Sequence, residues 1–433
     1  MSSELLQGMG YDWLRSLHNF ENKRDRTPDL DAITRLLYCI GEPQSAFKTI
    51  HITGTNGKTT VAVSAAHLLS VAGVSVGLLT SPDLGSITER IRINGVKVSA
   101  ERLNEELCFL SDIVKAFEIT DLSYFEALTA AAFSLFALEG VEVAVVEVGM
   151  GGTWDATNLL DAEVAVITSI GLDHLDELGP TTVDIARAKS GIVKEKSTLV
   201  MGKISSEHLG VILERSHKCS LSLGSEIEVS SLRQGVGGWM FDLRTRYGYY
   251  EQLFVTVRGK HQVENVALAI VAVEELKMGP ISKEVLDRSL GTLELPGRFE
   301  VVAMDAKKLV VLDVAHNESS ARELRSALKE ELPIFKGHVV LISLTHKRDP
   351  YEFIRALGTN DIDLLVSVDL QDHVQVDPVS VAEAASLLGV KSELLSRVEE
   401  GLFEHLERLR NDQLLVVTGS HKLVGKVKEL LKG

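Results

Sequence analysis

The sequence predicts an α/β protein, with a large N-terminal, mainly parallel, doubly wound phosphate-loop domain and a smaller C-terminal α/β domain of Rossmann-like type. Three observations predict it. The runs 143–148, 164–169, 339–344 and 414–418 are rich in Val, Ile and Leu without polar alternation, as strands covered on both faces are, and helical stretches separate them. A Gly-Thr-Asn-Gly-Lys-Thr-Thr segment at 54–60 stands between one β-rich run and a helical one. Leu295, Pro296 and Gly297 then interrupt the pattern before a second alternating series begins.

Taken in order, Leu5, Leu14, Leu17, Ile33, Leu36 and Leu37 fall at helical spacings and give a helical lead-in. Residues 48–53 form the first strand, 54–57 a glycine loop and 58–72 a helix. A second strand is expected at 74–80, a buried helix at 123–139, and further strands at 143–148 and 164–169. Between 222 and 257 the residues alternate, with Gly237 and Gly238 between Val236 and Trp239, which predicts an antiparallel hairpin extension at the sheet edge. Residues 261–278 return to helical periodicity. The boundary is placed at the Pro-Gly break, giving domains 1–295 and 296–433, the second with strands at 309–314, 339–344, 364–368 and 414–418.

Composition narrows the function classes. With 45% hydrophobic and 24% charged residues, the 433-residue chain is neither disordered, collagenous nor a coiled coil as a whole. The 45 Lys and Arg against 61 Asp and Glu leave a net charge of −16, which repels a polyphosphate backbone, and no basic run offsets it. Nucleic acid is therefore not an expected partner. A small acidic substrate remains possible, because a few placed cations dominate inside a cleft. Cys39, Cys108 and Cys219 form no CxxC pair or even disulfide framework, which suits a reducing cytoplasm. Residues 1–15 carry Glu4 and Asp12 and lack a signal-peptide pattern, and the apolar run 127–138 is about half a membrane span. No membrane association is expected, and nothing demands more than a monomer.

The chemistry begins at the loop. Main-chain N–H groups of Gly54, Thr55, Asn56, Gly57 and Lys58 can wrap a phosphate at the positive end of the helix, with Thr60 closing the segment. Lys58 can neutralise β- and γ-phosphates, and the Thr59 hydroxyl can ligate Mg²⁺. The spacing is shorter than the full phosphate-loop pattern, since Ile52 stands five residues before Gly57. Glu147 ends a buried strand, where a carboxylate is either a hard Mg²⁺ ligand or a solvated strand end. A glycine-rich stretch follows it at 149–152, which alone could be only a turn. His174 and Lys189, fifteen residues apart, read in isolation as a loop histidine and a surface lysine or as functional groups.

The shortened loop, Glu147 with 149–158, His174 with Lys189, and the segments 259–265, 295–300 and 312–317 together resemble the ATP-dependent amide ligases of the Mur family, in particular its folylpolyglutamate and dihydrofolate synthases. The resemblance implies ATP as co-substrate, adenine contact through Asn265, a phosphate clamp at Arg298, and Asp313 and His316 reaching the nucleotide. It implies two Mg²⁺, with Thr59, Ser81 and Glu147 as ligands, His174 at the second ion, and Lys189 carbamylated by CO2. Lys58, Lys189, His174 and His316 would be the catalytic groups. The segments 81–83 and 87–95 resemble a mobile loop near a pterin-bearing substrate, with Asp83, Thr153 and Asp155 as substrate contacts. Four departures stand out: Asp83 for a usual His, Thr153 for a usual Arg, Ala188 for a usual Glu, and His346 within a usual Asp-Lys-Asp segment. The implied reaction joins L-glutamate to dihydropteroate or a reduced folate through an acyl phosphate. The alternatives are a nucleotide-binding paralogue or a phosphate-loop ATPase without folate ligase activity.

Overall fold

From Thr49 onward every residue of β1 (Lys48–Thr53) is buried, which follows from its lying in the interior of a sheet covered on both faces. The computed structural model describes residues 7–18, 29–216, 218–304, 308–372 and 374–432; Glu4 and Leu5 lie outside them. Two compact units result. One is Met1–Arg233, Met240–Val255 and Glu264–Leu293, and the other is Gln234–Trp239, Thr256–Val263 and Glu294–Gly433. The division near residue 294 falls beside the Pro-Gly break, but two short stretches from earlier in the chain group with the second unit.

The first unit holds an eight-stranded sheet. Its strands are β1, β2 (Val76–Leu79), β3 (Ile91–Ile93), β4 (Val96–Lys97), β5 (Val143–Glu147), β6 (Val164–Ile167), β7 (Thr198–Met201) and β8 (Cys219–Ser222). They lie in the order β4-β3-β2-β5-β1-β6-β7-β8. The pairs from β2 through β8 are parallel, and β3 and β4 add an antiparallel edge. β1 lies between β5 and β6, so the loop after it opens where chains on either side also leave the sheet.

Side-chain alternation sorts the core. Ala144 and Val146 of β5 join a cluster with Ile33, Leu36, Leu107, Leu128 and Phe133 from the covering helices Asp31–Cys39, Ala100–Ala116 and Tyr124–Leu138. Helix Tyr124–Leu138 starts where Ser123 and Glu126 cap each other's main-chain N–H groups, at 3.2 and 2.8 Å. Its Phe133 and Phe136 rings pack edge-on against Phe47 at 6.1 and 5.9 Å between centroids. A Cβ on Gly77 of β2 would lie 2.7 Å from the Phe136 ring, so the glycine admits that ring.

The segment 87–95, which resembles a mobile loop, contains β3 and the turn to β4, with Ile91 buried and Arg92 and Ile93 half-buried. One expectation is corrected. The alternating segment after 222 does not extend the large sheet. β8 takes that edge, and β9 (Glu228–Gly235), β10 (Gly238–Arg244) and β11 (Tyr249–Val255) form a separate three-stranded sheet. Its alternation explains this: strands with one wet face cannot enter a sheet buried on both.

The second unit carries a six-stranded sheet of β12 (Glu300–Ala303), β13 (Leu309–Leu312), β14 (Gly337–Ile342), β15 (Ile362–Val368), β16 (Ser392–Leu395) and β17 (Gln413–Thr418), ordered β12-β13-β17-β14-β15-β16. All pairs are parallel except β12 with β13. The stretches 234–239 and 256–263 are tied in by Glu331, whose carboxylate accepts Trp239 Nε1–H at 2.9 Å, Arg258 Nη1–H at 3.3 Å and the Gly259 N–H. Among the described residues no helix is long and apolar enough to cross a membrane.

Phe136 is fully buried, so Phe136→Ala is expected to lower unfolding stability by about 3–5 kcal/mol through lost burial and the cavity left behind. Urea unfolding followed by tryptophan fluorescence measures it; a loss below about 1 kcal/mol would show that Phe136 is not part of the core.

Candidate active site

The loop between β1 and helix Lys58–Val71 is shaped by two glycines at positive φ. Gly54 has φ +152° and would place a Cβ 1.8 Å from Thr168 Oγ1; Gly57 has φ +88° and would place one 2.5 Å from Asn265 Oδ1. Thr168 and Ser169, just past β6, fasten the loop from the other side. Thr168 Oγ1 and Ser169 Oγ donate to Asn56 O at 2.5 and 3.2 Å, and Thr55 N donates to Ser169 O at 2.9 Å. Asn265 is thus placed against the loop.

Two lysines converge on one carbonyl. Lys58 Nζ donates to Gly54 O at 3.0 Å and to Thr55 O at 3.3 Å, and Lys189 Nζ donates to the same Gly54 O at 2.9 Å. Lys189 is 3% exposed. Burial foremost, and then the neighbouring Lys58 charge, push its pKa down from 10.5 to about 7, against the partial opposition of Asp173 and Asp155. An amine near neutrality is therefore half unprotonated at physiological pH and nucleophilic.

Beside the loop, Thr59 Oγ1 donates to Glu147 Oε1 at 3.0 Å and Ser81 N donates to Glu147 Oε2 at 3.3 Å. Glu147 is buried at the end of β5. One carboxylate with two hydroxyl residues, next to a phosphate-binding helix start, is the donor set Mg²⁺ takes when phosphates complete its shell. These three residues fit that ion. His174, on the loop beyond β6, has its Nε2 3.8 Å from Asp173 Oδ1 and its Nδ1 4.0 Å from Glu177 Oε2. Among the described residues no group of three His, Cys, Asp or Glu side chains gathers to hold a metal ion. The Lys189 amine, donating to a carbonyl, does not present a ligand oxygen without modification.

The expected substrate contacts Asp83, Thr153 and Asp155 each bond within the protein. Asp155 is buried, with Oδ2 accepting from Met150 N at 2.9 Å and Oδ1 from Thr157 N at 3.0 Å and Thr157 Oγ1 at 2.5 Å. It caps a short helical turn, and burial raises its pKa despite those bonds. Thr153 and Ala188, two of the departure positions, meet: the Thr153 main-chain N and Oγ1 both donate to Ala188 O, at 2.9 and 3.0 Å. Asp83 pairs with Arg90 at 2.6 Å.

In the second unit, Arg298, Asp313 and His316 gather around the turn after β13. Asp313 accepts from Phe299 N and Ala315 N, both at 2.8 Å, and burial raises its pKa while Arg298 holds it down in part. Arg298 donates to His421 Nε2 at 3.4 Å, and the His316 and His421 rings are 5.7 Å apart. His421, at the start of helix His421–Leu430, had no sequence signal of its own. The carbonyl of Gly54 and the Thr168–Ser169 fastening were likewise invisible, being main-chain and tertiary features.

An enzyme of the phosphate-loop class is what the first unit's sheet edge describes: amides and lysines gathered for an anion, with a carboxylate–hydroxyl set for a hard cation. Comparison with known proteins narrows this. A model of the Mur ligase middle domain matches residues 52–273, and one of the Mur ligase glutamate ligase domain matches residues 297–421. A Bacillus subtilis protein named dihydrofolate synthase/folylpolyglutamate synthase is 30% identical over 420 residues, covering 94% of this chain and 95% of that one. The structure of Mycobacterium tuberculosis folylpolyglutamate synthase complexed with ADP and AMPPCP superposes with a TM-score of 0.86 at 30% identity, covering 94% of this chain and 96% of that one. The Escherichia coli FolC structure with DHPP and ADP gives 0.86 at 25% identity, covering 100% and 99%. The chain belongs to the Mur ligase family, and it is an ATP-dependent ligase.

Gly54→Ala, which forces a Cβ into Thr168, is expected to weaken Mg²⁺-ATP binding by about tenfold or more, the cost of about 1–3 kcal/mol for a side chain in such backbone. Equilibrium dialysis with labelled ATP measures this; wild-type affinity would show that the loop does not carry the phosphates.

Proposed function

We propose that this protein condenses the amine of L-glutamate with the carboxyl group of dihydropteroate, of a reduced folate, or of both, converting ATP to ADP and phosphate, and that it does so as a cytoplasmic monomer. The reading is supported by the names of the relatives, by the glutamate ligase domain match, and by the free state of Cys39, Cys108 and Cys219. The observation that carries it is Lys189. A phosphate-loop hydrolase needs one lysine at the phosphates; a second, buried and near neutrality on the same Gly54 carbonyl, calls for another task.

A carboxylate is a poor electrophile, so the acid first attacks the γ-phosphate, giving an acyl phosphate, and the glutamate amine then displaces phosphate. The protein positions and neutralises. Amides of 54–58 and Lys58 hold the triphosphate, and Arg298 offers a planar fork suited to phosphate oxygens. Thr59, Ser81 and Glu147 would hold one Mg²⁺, which when bound offsets phosphate charge. The neutral Lys189 amine can take up CO2, forming an N–C bond and releasing a proton, so that an anionic carbamate replaces a cation. Together with His174, that carbamate would hold a second Mg²⁺, whose charge would further offset the phosphates. Asn265, beside Gly57, is suited to contact the adenine.

Phosphate release should require both glutamate and either dihydropteroate or tetrahydrofolate, with the product mass identifying the acceptor. Hydrolysis at the same rate without an acceptor would instead support a plain ATPase. Lys189→Ala is expected to lower turnover about a hundredfold or more; full activity of that variant without added short-chain acids would exclude the carbamate.

A further inference from the structure

Lys189 is the second last residue of helix Thr182–Ser190, where the Ala188 and Lys189 carbonyls accept long bonds of 3.4 Å from Gly191 N and Ile192 N. What fixes it there is a loop from across the sheet. Thr153 sends two donors to the Ala188 carbonyl, its main-chain N–H at 2.9 Å and its hydroxyl at 3.0 Å. Two glycines permit the approach. A Cβ on Gly152 would lie 2.8 Å from both Ala188 O and Lys189 O, and one on Gly191 would lie 2.1 Å from Thr153 Oγ1.

Thr153 is itself held. Asn158 Nδ2 donates to Thr153 O at 2.9 Å, and Asp155 N donates to Gly152 O at 3.1 Å. The loop is anchored in turn to β1, since Thr53 Oγ1 donates to Gly151 O at 2.6 Å and His51 Nε2 meets Thr157 Oγ1 at 2.8 Å. The His51 ring is fully buried, and burial lowers its pKa to about 3, so it stays neutral and does not disturb the link. From Thr53 the path runs through Gly151, Thr153 and Ala188 to Lys189, whose Nζ returns to Gly54, the residue after Thr53. The ring is closed.

We propose that Thr153 is a positioning residue for Lys189: its hydroxyl fixes the helix end so that the Lys189 side chain meets the Gly54 carbonyl. The proposal rests on the catalytic reading of Lys189 above. Thr153 acts through the main chain and does not touch the substrate in this role. Its side chain is replaceable by any residue that keeps a hydroxyl on Cβ.

The test compares Thr153→Val, which keeps shape and main-chain N–H, with Thr153→Ser, which keeps the hydroxyl. Thr153→Val should lower kcat by about tenfold, the worth of one such hydrogen bond, with the KM for ATP within about twofold of wild type. Thr153→Ser should restore kcat. Amide hydrogen exchange by mass spectrometry should quicken in the peptide spanning Lys189 in the Val variant only. An unchanged kcat, a loss that Ser does not rescue, or a change confined to the KM for ATP would overturn the proposal. Unchanged exchange in Thr153→Val would overturn it also. The two failures separate: wild-type turnover by Lys189→Ala would refute the catalytic reading of Lys189, whereas an inactive Lys189→Ala with a normal Thr153→Val would refute only the role of Thr153.

Discussion

One carbonyl oxygen, that of Gly54, receives two lysine amines, and the rest of the first unit's site depends on that sharing. A carbonyl has two lone pairs and can accept both donors. Two positive charges a few ångström apart at a partly buried site repel by about 4 kcal/mol, so both do not stay charged cheaply. Desolvation decides which yields. Lys58 is half-buried at the head of its helix, whereas Lys189 is 3% exposed. Lys189 therefore yields: its pKa falls to about 7, which leaves much of it as unprotonated amine near neutral pH.

Sharing requires the carbonyl to be held in place, and much of the local structure does this. β1 in the middle of the sheet brings Gly54 out between the chain ends of β5 and β6. Thr168 and Ser169 fasten one side of the loop, and the 149–158 segment fastens β1 to the Lys189 helix. Buried aspartates shape turns in both units. Asp155 and Asp313 each give both carboxylate oxygens to main-chain N–H groups, although burial raises the pKa of each. Their hydrogen bonds offset a desolvation cost that an unpaired carboxylate would bear in full.

Four strands of the large sheet, β1, β2, β5 and β6, were legible, β5 and β6 because a strand covered on both faces leaves an apolar run without alternation, as in 143–146, and glycine with lysine and threonine after β1 marked the phosphate loop; β7, only four residues long, was not read. Edge strands were not. Ile91–Ile93 is short and only partly buried, so its run is indistinguishable from loop, and the alternating 228–255 segment gave its type but not its sheet. In the site, Lys58, Thr59 and Glu147 could be proposed from residue type and spacing, whereas Lys189 was singled out only by the family resemblance. Thr153 and Asp155 could be located but not assigned, because a side chain that braces a turn and one that meets a substrate have the same letter. His421 joins Arg298 only through the folding of β17 onto β13, which spacing does not record.

The central claim is that Lys189, sharing the Gly54 carbonyl with Lys58, titrates near neutrality and so supplies unprotonated amine. Titration of the lysine ε-carbon resonances in ¹³C-lysine-labelled protein tests it directly, with Lys189 assigned by the signal lost in Lys189→Met. A midpoint near 7 is the expected result, and a midpoint at the ordinary 10.5 would contradict the account.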